Sequence, residues 1–170
     1  MPTKYKSHKN TTRSNRLHPL LRKAWYEFID GSAKWTVAYT VTLKRHIGPQ
    51  PVSNDHMYQS ARHFLRKLDC QCLGSNRVKR GAFVSSVVVY GWGTYDNHPH
   101  LHLALVCPAG LSESEFINCI EQAASKVEWF DRERKLEQYV SVGWATYMVD
   151  HDPENLYVRL MRIPTNQLES

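Results

Sequence analysis

A chain of 170 residues, 42% hydrophobic and 22% charged, has the size and composition of one soluble globular domain that can bury a core without disulfide or metal staples. No run approaches the roughly eighteen uncharged apolar residues of a membrane span, and the polar, basic start gives no expectation of a secretory leader or a membrane partner. The net charge of +6 is unevenly spread: residues 1–16 carry Lys4, Lys6, Lys9, Arg13 and Arg16 with no acid, and Arg77, Lys79 and Arg80 form a second cluster, a distribution that attracts polyanions such as nucleic acid.

Residues 1–16 are polar and aperiodic and read as a disordered basic arm, leaving 17–170 as a single domain. Leu20, Leu21, Trp25 and Phe28 recur at helical spacing and predict a helix over 17–30, stopped by Gly31. Residues 35–44 alternate and are rich in β-branched and aromatic types, so a strand is expected there, followed by a loop broken by Gly48, Pro49 and Pro51. Met57, Ala61, Phe64, Leu65 and Leu68 predict a helix over 54–72, and SNRVKRG a basic loop. Two strands over 82–92 and 98–107 should pair antiparallel across the turn GTYDN. Ser112 with Glu115 forms a capping box that opens a helix running to about Lys126. A charged segment, a strand at LEQYVSV, a short helix at GWATYMVDH ended by Pro153, and a last strand at LYVRLMRI complete the chain. After the first helix the order is β-α-β-β-α-β, which predicts an α+β, ferredoxin-like antiparallel sheet with helices packed on it. That fold hosts many functions and decides none.

The four cysteines fit no zinc-finger spacing and read as reduced thiols of a cytosolic protein, with a zinc alternative at Cys70 and Cys72. The more informative stretch is NHPHLHLALVCP. Alternation on a strand puts His98, His100 and His102 on one face and Leu101, Leu103 and Leu105 on the other. Two imidazoles two residues apart on a strand can grip one divalent ion if a third ligand arrives from elsewhere, and with oxygen ligands such a pair accepts Mn²⁺ or Mg²⁺.

HPHLHLAL resembles the His-hydrophobic-His motif of the HUH endonuclease superfamily, which includes rolling-circle replication initiators, mobilisation relaxases and small single-domain transposases. The likeness spans most of residues 35–160 and includes the Thr-Leu element TVTLK on the first strand. It implies a catalytic tyrosine that attacks a DNA phosphate, and Tyr147, in GWATYMVDHDPENLY, matches that place. His151 lies four residues on, on the same helical face. Transposases of this kind carry a glutamine metal ligand there, so by analogy His151 could complete a three-histidine site. Replication initiators often supply an acid on the strand beside the histidines, but VVVYGWGTYDN has none before Asp96. The third ligand is therefore His151, Asp96 or His98, in that order, and His98 is also a candidate base. Tyr139 is expected in the core and Tyr26 as a packing residue.

The resemblance implies a metal-dependent endonuclease that nicks and joins single-stranded DNA through a 5′-phosphotyrosine. Its role would be to initiate rolling-circle replication of a plasmid or phage in the cytoplasm of a prokaryotic host. With no Walker-type motif in the chain, it would borrow a host helicase to act on an origin hairpin. Arg77, Lys79, Arg80, Trp92 and Tyr95 are the expected DNA contacts, charges on phosphates and rings on bases. The alternatives are a transposase or relaxase of the same chemistry, a non-catalytic ferredoxin-like nucleic-acid-binding module, and a hydrolase in which water is the nucleophile.

Overall fold

Of the elements expected from the sequence, most fall where their periodicity puts them in the computed structural model, which describes residues 19–92, 98–139, 143–146, 148 and 160–163. The basic arm, Tyr95, Asp96, Tyr147 and His151 lie outside the described residues. The elements are α1 (Pro19–Ser32), β1 (Val37–Leu43), β2 (His46–Ile47), β3 (Gln50–Pro51), α2 (Asn54–Leu73), α3 (Ser75–Lys79), β4 (Ser86–Trp92), β5 (Pro99–Leu105), α4 (Glu113–Ala124) and β6 (Phe130–Gln138).

Four strands form an antiparallel sheet in the order β4-β5-β1-β6. The chain leaves β1, crosses through α2 to β4, and turns back so that β5 inserts between β1 and β4. This is an α+β architecture compatible with a ferredoxin-like fold. The alternating strands give the sheet two different faces. On one, Tyr39, Val41, Val88, Leu101, Leu103 and Leu105 pack against Phe64, Leu65 and Leu68 of α2 and Phe116 and Ile120 of α4. On the other, Val87, Val89 and Ala104 pack against Ile29 of α1, Trp35, Ala145 and Met148.

The helix starts are held by local polar bonds. Ser112 accepts from the Glu115 N–H, and the Glu115 carboxylate accepts from the Ser112 N–H at 2.8 Å, as the capping box predicts. The same device, with Ser53 as the cap, opens α2 at its predicted start, Asn54. Ser53 Oγ accepts from the His56 N–H, and His56 Nδ1 accepts from the Ser53 N–H at 3.1 Å. An imidazole stands where the usual box has a carboxylate or amide.

Several expectations are corrected. Gly31 does not stop α1. The last turn is held because Ser32 Oγ donates to the Ile29 carbonyl at 3.0 Å and Trp35 Nε1 donates to the same oxygen at 2.6 Å. The predicted apolar face of that helix is also rotated. Leu20, Leu21 and Phe28 are 71%, 46% and 41% exposed, while Ile29 is fully buried with Trp25 and Tyr26 beside it. The loop 46–51 holds the two-residue strands of a small hairpin, turned through Gly48 at φ 57°. SNRVKRG is not all loop: Gly74, at φ 77°, ends α2 and the chain restarts as α3. The fourth long strand starts before LEQYVSV, in the charged segment, and shares only Leu136–Gln138 with it, while residues 140–142 lie outside the described residues. FDRERKLEQ pairs with β1 along the edge of the sheet, where Phe130 is buried and most of the charged residues face solvent. At LYVRLMRI the described residues form no strand, only a bridge between Arg162 and Ser86 on the free edge of β4.

Candidate metal centre

Cross-strand register places the histidines. His100 stands between Gly91 of β4 and Thr42 of β1, and His102 between Val89 and Thr40. All six residues share the face opposite α2 and α4, as the alternation predicts. His102 is 2% exposed and His100 is half-buried. Their rings meet edge to face with centroids 4.6 Å apart. His98 precedes the strand and contributes through its backbone.

Each ring has its Nδ1 engaged. His100 Nδ1 lies 3.0 Å from the His98 carbonyl oxygen. A carbonyl only accepts, so Nδ1 carries the hydrogen and the neutral ring keeps its lone pair on Nε2. His102 Nδ1 lies 2.9 Å from Thr40 Oγ1. If Nδ1–H donates to that hydroxyl, this ring also directs its Nε2 lone pair toward a ligand. Imidazoles that hold metals are oriented in this way, with the second nitrogen donating to a carbonyl or hydroxyl. The pair thus fits as two nitrogen ligands of a divalent ion. Among the described residues no third His, Cys, Asp or Glu joins them. Asp96 and His151 are outside that set.

Gly91 makes room for the arrangement. A Cβ built there would stand 2.6 Å from His100 Nε2, so only glycine lets the ring lie across the neighbouring strand. Trp144 closes the other side. Its ring meets His102 edge-on at 5.6 Å. Ala145 and Met148 are fully buried in the cluster on this face, so the helical residues 143–146 and 148 are docked on the sheet that carries the histidines. Sequence reasoning did not single out Thr40, Gly91 or Trp144. The signal for the first two lies in register, which sets Gly91 against His100 and pairs Thr40 with His102, 62 positions on, only once the strand order is known.

The other expected site residues are dispersed. Trp92 faces the opposite way, packed against the α2 side with its Nε1 donating to Asn54 Oδ1 at 3.3 Å. Arg77, Lys79 and Arg80 are exposed beyond the C-terminal end of α2, whose N-terminal end holds Asn54 beside Trp92. The length of α2 therefore separates them from the histidines, about 30 Å at the helical rise. Tyr26 and Tyr139 both pack on the second cluster, with Tyr139 tilted against Trp35. Burial first, and then the neighbouring Asp30 and Tyr26, push the Tyr139 hydroxyl well above the ordinary tyrosine range, which disfavours it as a nucleophile. Cys70 and Cys72 sit two residues apart on α2, about 200° around its axis, and do not converge on one ion. Among the described residues no helix is long and apolar enough to cross a membrane. Comparisons with protein-family models, with curated proteins and with solved structures find no match to this chain.

Proposed function

We propose that this chain nicks and rejoins single-stranded DNA as a metal-dependent endonuclease of the HUH kind, with Tyr147 as nucleophile. The observation that carries the reading is the docking of residues 143–146 and 148 onto the histidine face. Trp144 touches His102, and Met148 is buried in the same cluster, so the residues on both sides of Tyr147 in sequence are held where the paired imidazoles stand.

His100 and His102 would hold Mn²⁺ or Mg²⁺, with His151 or Asp96 as third ligand, since His98, which was also a candidate, does not join the pair. The ion would draw charge from the non-bridging oxygens of the scissile phosphate. The Tyr147 oxygen attacks phosphorus in line. A Tyr–O–P bond forms, the bond from phosphorus to the 3′-oxygen breaks, and the departing 3′-oxygen takes a proton from water to leave as a free 3′-hydroxyl. The phenol proton passes to a nearby base, for which His98 is the candidate. The phosphotyrosine retains the phosphodiester energy, so a 3′-hydroxyl can reverse the step without ATP. Thr40 and the His98 carbonyl orient the two rings, and Trp144 shields His102 from water. The basic arm and Arg77, Lys79, Arg80 and Tyr95 would follow the flanking strand. Initiation of rolling-circle replication, with a host helicase opening the duplex, is the role this chemistry suits. Transposition and mobilisation use the same step.

The test is a denaturing gel of the protein incubated with single-stranded oligonucleotides carrying candidate origin hairpins, with Mn²⁺ or with EDTA. A metal-dependent band of DNA-bound protein, absent in Tyr147→Phe, is the expected result. A band that persists in Tyr147→Phe would remove Tyr147 from the nucleophile's role. DNA bound without any covalent band on every origin tried would leave a binding module.

A further inference from the structure

A cavity lies away from the histidines, between α2 and residues 160–162. It has a volume of about 440 Å³, and its polar lining is Gln59, Arg62, His63, Arg66, Asp69 and Arg162, beside two leucines. Its one acid is already committed. Asp69, buried, accepts the Val84 N–H at 2.9 Å with one oxygen and pairs with Arg162 Nη1 through the other. Arg162 is fixed further by donating from Nε to Ser86 Oγ at 3.3 Å and by its backbone bridge to the same serine. Its guanidinium lies 5.8 Å from the centre of the Phe83 ring. Its Nη2 is buried and has no hydrogen-bond partner among the described residues.

Arg62 and Arg66 are exposed and one turn apart on α2. Like charges at that spacing destabilise a helix. Among the described residues no carboxylate pairs with either one. A solvated helix face would also carry exposed arginines. It would not set them around a cavity with a third guanidinium held in place by a buried aspartate. The cavity thus combines one neutralised Arg–Asp pair with two uncompensated guanidiniums, and guanidinium forks match the oxygens of a phosphate group.

We propose that this cavity is a phosphate-binding pocket, in which Arg62 and Arg66 reach the phosphate oxygens over a base formed by Arg162. Gln59 and His63 supply further polar groups at its rim. The pocket lies on the α2 side of the sheet, so it stands independently of whether the histidine face cuts DNA. The phosphate belongs either to a nucleic-acid strand or to a free phosphorylated molecule.

The experiment uses the full chain and the double variant Arg62→Gln/Arg66→Gln, in which two exposed side chains change and folding is checked by thermal unfolding. Inorganic phosphate is titrated at constant ionic strength while Tm is followed. A short fluorescent oligothymidylate is titrated by anisotropy across a salt series. For a strand phosphate, the double variant binds the oligonucleotide about tenfold more weakly, and the log–log salt slope falls by about 1.4 for two lost contacts. For a free phosphate, Tm rises with phosphate in the wild type and not in the variant, while DNA affinity is equal. Either result supports the pocket. Identical phosphate response, DNA affinity and salt slope in both proteins overturns it. His100→Ala/His102→Ala should leave these readouts unchanged, so loss of nicking with the pocket intact is a failure of the proposed function alone.

Discussion

At Gly91 a single hydrogen atom lets the His100 ring lie across the adjacent strand. Gly91→Ala puts a methyl group 2.6 Å from Nε2, so the ring must swing away. The overpacking should cost about 1 kcal/mol, the low end of the range because His100 is half-exposed and can move. Mn²⁺ affinity by titration calorimetry should fall at least as far as in an orienting-residue variant. Affinity retained with the fold intact would mean that the ion, if any, is held elsewhere. Thr40 permits a finer test. Thr40→Val keeps the shape but removes the oxygen 2.9 Å from His102 Nδ1. Loss of such an orienting bond typically weakens metal binding by about 10–100-fold. Thr40→Ser should restore most of it, which separates orientation of the ring from packing of the strand. His100 and His102 were legible in the sequence because period-two alternation on one strand is a local property. Thr40 and Gly91 were not, because they meet the histidines only through cross-strand register.

Helix α4 shows how a locally encoded element responds to acid. Its capping box was legible because serine and glutamate three residues apart suffice to form it. Ser112→Ala should lower stability by about 1 kcal/mol. Hydrogen bonds from the Ser112 hydroxyl and N–H hold the Glu115 carboxyl below its ordinary range. A carboxylate whose folded pKa is depressed stabilises the fold above its unfolded pKa and loses that contribution as pH falls through the folded value. Glu115→Gln should therefore lower Tm at pH 7 and converge with wild type in strong acid. A constant Tm difference across that range would show that the charge plays no part. The start of α2 at Asn54 was legible from its apolar spacing, but its capping box was not, because His56 fills the place of the expected carboxylate or amide. The start of strand β6 was placed too late because a stretch as dense in charge as residues 131–135 reads as loop, whereas an edge strand paired on one side can leave its charges in water. The orientation of α1 was misjudged for a related reason. Leu21, Phe28 and Ile29 all fit helical periodicity, and only the sheet beneath decides which stripe turns inward.

For the whole molecule, the ferredoxin-like order was legible from the sequence of elements, since a crossover helix followed by a hairpin leaves few ways to build one antiparallel sheet. The division of labour between its faces has a consequence for the metal. One face supplies a large apolar core with α2 and α4, and the other buries Ile29, Trp35, Val87, Val89, Ala104, Ala145 and Met148 in a second apolar cluster. The fold should therefore not depend on the ion, unlike small domains whose metal supplies their folding energy. Chelation with EDTA should leave the far-ultraviolet circular dichroism and the cooperative unfolding transition in place while removing covalent DNA attachment. Added Mn²⁺ should stabilise only by mass action, about 2.7 kcal/mol at one hundred times Kd. For a domain of this size that raises Tm by roughly 5–10 °C. The rise should disappear in His100→Ala/His102→Ala, whose own Tm without metal should lie below that of the chelated wild type, because His102 is buried and truncating its ring leaves a cavity beside Trp144. Collapse of the wild type on chelation would mean that the ion is a structural support. No rise in Tm at millimolar Mn²⁺ would mean that the two imidazoles, well oriented as they are, do not hold this metal.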